Sequence, residues 1–397
     1  MTDVLTPIGA LLLVACLIAM LSRRLHLPYI VGLVVAGLLI AILPNAPDFP
    51  LSRELIFNVL LPPLVFEAAL QLDWRRFRNE LPITLTLAFV GVAIAGAAVG
   101  FGMHQLLGWS WIGAALFGVL IAATDPVSVI AAFREMKAEK RLSMVVESES
   151  LLNDGAAAVG FAVLLALANG GPNDFATSSL AFIWATGGGV AIGLAISGVA
   201  LVIAGRTDDH LIEITLTTIV AYASFLLAEH YHSSGVIAAL TAGLTIGGAS
   251  KNGIIADQDR VLVLSFWEYV AFLANSVIFI LIGMNAANQP LHEIGWFAAA
   301  VAIILVLIGR AISIYPLALL FSRSRWRLPL PYQHTLFWGG LRGALALALA
   351  LAVPTSVPER NAIIIAAFVT VAFSILVQGL TMPWLLGHYN LREGVRE

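Results

Sequence analysis

Long apolar runs separated by short polar punctuation dominate this chain. A membrane-spanning helix needs about 20 mostly apolar residues, with a range of about 17–25. Thirteen segments meet or nearly meet that length: 5–22, 28–43, 52–71, 80–106, 111–133, 143–168, 177–204, 211–230, 234–250, 261–284, 294–321, 332–353 and 360–386, the second and ninth being short. Two are interrupted in mid-run, the fifth by Thr124-Asp125-Pro126 and the twelfth by Gly339-Gly340-Leu341-Arg342-Gly343. Pro126 has no N–H and disfavours helical geometry at the residue before it, so the fifth segment is expected to open around Ala123 to Asp125. Each interrupted segment is second in a run of three, 4–6 and 11–13, and an offset of seven segments gives the two runs opposite orientation. Paired broken segments in inverted halves are the sequence pointer to a transporter's binding site.

Composition sharpens the class. The chain is 60% hydrophobic and only 11% charged, against roughly 25% charged residues in soluble domains, so it reads as an all-α polytopic membrane protein. Nothing in it suggests a nucleic-acid-binding surface. Its one cysteine, Cys16, excludes an intrachain disulfide and a cysteine-based metal site. No Lys or Arg precedes the first apolar run, which therefore reads as a span and not as a cleavable leader. The positive-inside rule tests the segment count. With connections assigned alternately to two faces, one face receives only Arg53 and Arg360; Arg310 and Arg342 fall inside segments; the rest of the 21 Lys and Arg residues share the other face. That basic face is expected to be cytoplasmic, with the N-terminus outside and the C-terminus inside. Too few residues follow the last span for a soluble regulatory domain.

The candidate chemistry lies in the few charges inside apolar segments. Even the lowest scales put an aspartate at mid-bilayer at about 2.5–3.5 kcal/mol, a cost a chain tolerates when the group binds what crosses the membrane. Asp154, in ESESLLNDGAAAVGF, is the foremost case, and Asp125 the second. Ser150 and Asp154 are spaced i, i+4 on one helix face, Glu149 and Asn153 on the adjacent one. Such oxygen ligands suit a hard cation. A carboxylate there holds a proton or a cation but not both well, which is the basis of proton-coupled exchange. Asn153 can position Asp154 without adding a second titrating site. Thr124 offers a hydroxyl and freed backbone beside Asp125. Glu67 follows Pro62 and Pro63 by about a turn and is expected to face the same cavity. Buried arginine stays protonated and needs a partner. Four acids, Glu67, Asp125, Glu149 and Asp154, are candidates for Arg310 and Arg342, and spacing alone does not choose among them; the pairs expected are Glu149 with Arg310 and Asp125 with Arg342.

LPPLVFEAAL, ATDPVSV, ESESLLNDGAA, FWEYVAFLANSVIFILIGM and GGLRGALALALAL together resemble the cation:proton antiporter-1 family, the group of NhaP-type bacterial and eukaryotic sodium/proton exchangers, over essentially the whole chain. The resemblance implies inverted repeats with two crossing broken helices. It implies a core bundle over about 80–168 and 294–386, and a dimerising interface bundle over about 5–71 and 177–284. It implies a cation site of Asp154, Glu67, Ser150 and Thr124 with Asp125 and Asn153 in support, and a structural role for Glu149, Arg310 and Arg342. An Asn-Asp pair implies electroneutral one-for-one exchange, serving pH homeostasis from the inner membrane of a bacterial cell as a homodimer. No cofactor or enzymatic activity is implied. K⁺ or Li⁺ in place of Na⁺ is the alternative within the family. An intramembrane aspartyl protease and a passive cation channel are the alternatives outside it; the two buried arginines and the inverted runs argue against the protease.

Overall fold

The computed structural model describes residues 2–25, 28–43, 51–125, 130, 133, 138–171, 175–205, 209–251 and 257–391. Within them every expected segment carries helix. These are α1 (Thr2–Leu25), α2 (Tyr29–Ala41), α3 (Leu55–Gln71), α4 (Trp74–Leu107), α5 (Trp111–Leu120), α6 (Lys140–Ala168), α7 (Phe175–Ala204), α8 (His210–His230), α9 (Gly235–Lys251), α10 (Asp257–Ala287), α11 (Leu291–Leu320), α12 (Leu330–Trp338), α13 (Ala344–Leu351) and α14 (Arg360–His388). Among the described residues seven helices are long and apolar enough to cross a membrane by length and composition; α2, α3, α5 and α9 are shorter apolar helices. Pro126 and the basic residues Arg134, Lys137, Arg206, Arg392 and Arg396 lie outside the described residues.

Local chemistry sets the helix ends. Asp73 caps α4, accepting from the N–H groups of Arg75 at 3.0 Å and Arg76 at 3.2 Å. Ser110 caps α5 and is itself held by Glu359, whose carboxylate accepts from its N–H and its hydroxyl, both at 2.8 Å. In α3 a π-helical stretch, Leu55–Leu60, leads into a regular helix with Pro62 and Pro63 in its first turn. A proline in that place leaves the carbonyl four residues earlier without its helical donor. The Tyr222 hydroxyl supplies the missing bond to the Val59 carbonyl at 3.0 Å.

Packing follows two groupings. The helix α4 lies against α5, α6 and α11, with α14 against α11 and α13. In the other grouping α9 lies against α3, α7 and α8, and α10 against α2 and α3. The groupings meet along a seam where α3, α9 and α10 face α6, α13 and α14. Both helix breaks sit at that seam. The fifth segment opens earlier than expected: α5 ends at Leu120, Ile121 and Ala122 form a turn, and Ala123 to Asp125 are irregular. The twelfth breaks where the sequence places the interruption, between Trp338 and Ala344.

Candidate cation site

The two interrupted strands cross and bond to each other. The Asp125 N–H donates to the Leu341 carbonyl at 2.7 Å. Arg342, 2% exposed, donates through Nη1 to the carbonyls of Ala122 at 2.9 Å and Ala123 at 3.1 Å, and its own N–H is held by Ser374 Oγ at 3.0 Å. The expected Asp125–Arg342 pair is thereby corrected: among the described residues the hydrogen bonds seen for the Arg342 guanidinium go to the carbonyls of Ala122 and Ala123. The physical reason is the early end of α5, which leaves carbonyls at 122 and 123 with no helical donor. The cation answers them and keeps non-helical backbone satisfied away from water.

Glycine at 340 and 343 is dictated by what occupies the place of a side chain. A Cβ on Gly340 would lie 2.7 Å from Arg310 Nε, and one on Gly343 would lie 2.5 Å from Asp125 Cβ. Gly343→Ala is therefore expected to push the Asp125 strand from its place, costing about 1–3 kcal/mol of overpacking and, where that displacement falls on the transport cycle, cutting exchange turnover about five- to a hundredfold. Transport by purified Gly343→Ala protein checks this, and turnover within twofold of the parent would contradict it.

A polar network in α6 fixes the first strand. The Asn153 amide accepts from the Thr124 N–H at 3.1 Å and donates to Thr124 Oγ1 at 2.6 Å and to Glu149 Oε1 at 3.0 Å. Ser150 Oγ donates to the Thr124 carbonyl, and its oxygen lies 2.9 Å from Thr124 Oγ1. Glu149, 1% exposed, takes a bidentate pair from Arg310 at 2.7 and 3.0 Å, and the same guanidinium donates to the Leu336 carbonyl at 3.0 Å. The expected Glu149–Arg310 pair is thus present in the geometry. Arg310 serves twice, neutralising a buried acid and closing the last turn of α12.

Asp154 stands apart from this network. Among the described residues its carboxylate makes no hydrogen bond, and it lines a cavity of about 60 Å³ with Leu151, Thr124, Asp125, Asn275 and Gly343. That volume holds a few water molecules or a partly hydrated alkali cation. The row of α6 that faces the cavity is Leu151 and Asp154; Ser150 and Asn153 occupy the adjacent row, turned towards Thr124. Glu67 does not line the cavity, although its neighbours Leu64 and Ala68 do. Its carboxylate instead accepts from the Gln71 amide one turn along α3. Asp154, Thr124 and Asp125 are therefore brought together, with Ser150 one layer behind and Glu67 to one side. Among the described residues no three His, Cys, Asp or Glu side chains are grouped to hold a metal.

Comparison with known proteins gives the family. The family model described as "Sodium/hydrogen exchanger, transmembrane" matches residues 10–388. The chain belongs to the sodium/hydrogen exchanger family. It is 38% identical to the Na(+)/H(+) antiporter NhaS2 of Synechocystis sp., over 96% of this chain and 70% of that protein. It is 30% identical to the Na(+)/H(+) antiporter NhaH of Halobacillus dabanensis over 97% of each. Its fold is that of the sodium proton antiporter MjNhaP1 from Methanocaldococcus jannaschii, with a TM-score of 0.78 at 21% identity, over 96% of this chain and 97% of that one.

Three residues that build this exchanger's site escaped sequence reasoning. Asn275 lines the cavity, Ser374 holds the Arg342 backbone, and Gln71 holds Glu67. The signal for Asn275 was its place next to Ser276 in the otherwise apolar stretch from Val270 to Met284. Ser374 and Gln71 carried none, because each acts on a partner from a different part of the chain or on a side chain expected to point elsewhere.

Proposed function

We propose that the chain is a secondary Na⁺/H⁺ antiporter in which Asp154 carries either a proton or a sodium ion between the two faces of the membrane. The single observation behind this reading is the Asp154 carboxylate, turned into a small cavity between two unwound strands while its neighbours Glu149, Ser150 and Asn153 are engaged with Arg310 and Thr124. A bare carboxylate there is the costly state. A proton or a cation each discharges it, and the two exclude one another. Thr124 and Asp125 line the same cavity and Ser150 is bonded to Thr124 behind it; their oxygens would complete a coordination shell, and Glu67 would join by turning from Gln71. Glu149 is matched by Arg310, Asn153 is neutral, and the buried charge of Arg342 at the crossing offsets one of the two acids, Asp125 and Asp154, that line the cavity; one net negative charge remains at the centre, which supports electroneutral one-for-one exchange.

Alternating access would move α4–α6 and α11–α14 as a core against α1–α3 and α7–α10. The seam supports this division. A second cavity of about 520 Å³ continues along it on α3, α6 and α13, lined by Phe57, Ala158, Ala162 and Leu349, towards the face that carries Arg53. The distribution of Lys and Arg supports an N-terminus outside and a cytoplasmic C-terminus in a plasma membrane. The exposed apolar faces of α1 and α7, such as Leu17, Met20, Leu180 and Ile183, suit lipid or a second copy in a homodimer.

Dissipation of a pH gradient in proteoliposomes, with each alkali cation in turn and with the voltage clamped or left floating, tests the reading. Sodium-dependent proton movement that is indifferent to voltage is the expected result. Current without coupled proton movement would identify a channel instead. Competition at one acid also sets the pH dependence. Proton and cation displace each other, so the apparent KM for Na⁺ rises as pH falls, approaching about tenfold per pH unit where the site is mostly protonated. Calorimetry should show protons released on sodium uptake, and a sodium affinity indifferent to pH would overturn the shared site.

A further inference from the structure

Glu67 has a holder. Gln71 Nε2 donates to Glu67 Oε1 from the next turn of α3 and lies 3.5 Å from Glu268 Oε1 on α10. One amide thus spans two carboxylates from two helices, at the end of α3 that leads into the basic Trp74–Arg78 stretch. The same two helices wall the Asp154 cavity. On α3, Leu64 and Ala68 line it, seven and three residues before Gln71; on α10, Asn275 lines it, seven residues after Glu268. Seven residues are two helical turns, about 10 Å along the axis and on the same face. Glu268, Gln71 and Glu67 therefore form a polar file that ends beside the cavity.

We infer that Gln71 is a positioning residue for cation exchange: it holds the Glu67 carboxylate turned away from Asp154, and the incoming cation must displace its amide before Glu67 can act as a ligand. An amide NH₂ presents two partly positive hydrogens, so it occupies on the carboxylate the place that the cation later takes. This keeps a further acid from facing Asp125 and Asp154 across the cavity, where like charges would repel. It also weakens cation binding and so favours release to the file leading out past Glu268. The inference rests on the reading of Asp154 and Glu67 as ligands.

The test is sodium-dependent exchange in proteoliposomes with the full chain carrying Gln71→Met, which keeps the length and removes both donors, beside Glu67→Gln and Asp154→Asn. A hydrogen bond that competes with the ion should cost about three- to tenfold in apparent affinity. Gln71→Met is therefore expected to lower the KM for Na⁺ by that factor and to lower turnover, because release is slowed. Gln71→Asn, which keeps the amide on a shorter stem, should fall between it and the parent. In the Glu67→Gln background, Gln71→Met should change neither constant. A merely structural role would reduce the amount of active protein and leave KM where it was. An unchanged KM in Gln71→Met, with KM raised in Glu67→Gln, would overturn this inference alone. An unchanged KM in Glu67→Gln would remove Glu67 from the ligand set and this inference with it. Exchange surviving in Asp154→Asn would instead strike the proposed function.

Discussion

Replacing Asp154 by Asn abolishes sodium-dependent proton movement while leaving a folded protein. Asparagine fits the same space, so packing against Leu151 and the crossing strands is kept. It can neither take up a proton in this range nor neutralise a cation. Asp154 makes no hydrogen bond among the described residues and belongs to no ion pair, so little native structure depends on its charge. Removing an unpaired buried carboxylate relieves a desolvation cost, and the thermal midpoint in detergent is expected to stay level or rise. Exchange should drop at least a hundredfold, to the leak of empty vesicles. An Asp154→Asn protein with normal exchange would remove the central assignment.

The opposite pattern is expected at Arg310. Its guanidinium makes a bidentate pair with Glu149 and also donates to the Leu336 carbonyl at the end of α12. Arg310→Ala leaves Glu149 buried and uncompensated, a change that costs about 3–5 kcal/mol when one partner of a buried pair is removed. Asn153 bonds the same carboxylate and the Thr124 strand, so the disturbance would reach the cation site through position, not through ligand chemistry. The expected result is a steep loss of folded protein and a lowered melting midpoint, with the relative preference among Na⁺, Li⁺ and K⁺ unchanged in whatever exchanges. Converting both partners together, Glu149→Gln with Arg310→Met, should recover much of the stability, since an apolar or neutral pair avoids the orphaned charge. An unchanged midpoint with altered ion preference would show that Arg310 acts on selectivity and not on the scaffold.

The contrast between these residues shows what the linear pattern carries. Periods of apolar residues as long as a bilayer is thick mark helices whatever their neighbours do, because the backbone must satisfy its own hydrogen bonds in lipid. The segments, the break at Gly339 to Gly343 and the exceptional acids were accordingly legible; the match of Glu149 with Arg310 was one choice among four candidate acids, carried by the family resemblance. The partner of Arg342 was not legible. A guanidinium accepts either a carboxylate or freed carbonyls, and only the early end of α5 at Leu120 put the carbonyls of Ala122 and Ala123 within reach. Helix periodicity could not settle which of Ser150, Leu151 and Asp154 looks into the cavity, because neighbouring rows of one helix differ by a rotation that packing alone sets.

From the order of residues came the class of protein, its segment plan, the family it resembles and the acid proposed to carry the exchange. Those depend on transfer energies and spacing along one chain. From the tertiary structure came the crossing of the two strands, the carbonyl partners of Arg342, the cavity that isolates Asp154 and the retreat of Glu67 to Gln71. Those depend on which of several adequate partners lies within about 3 Å, a choice made for Arg342 between segments some 220 residues apart and for Glu67 within one turn of its own helix.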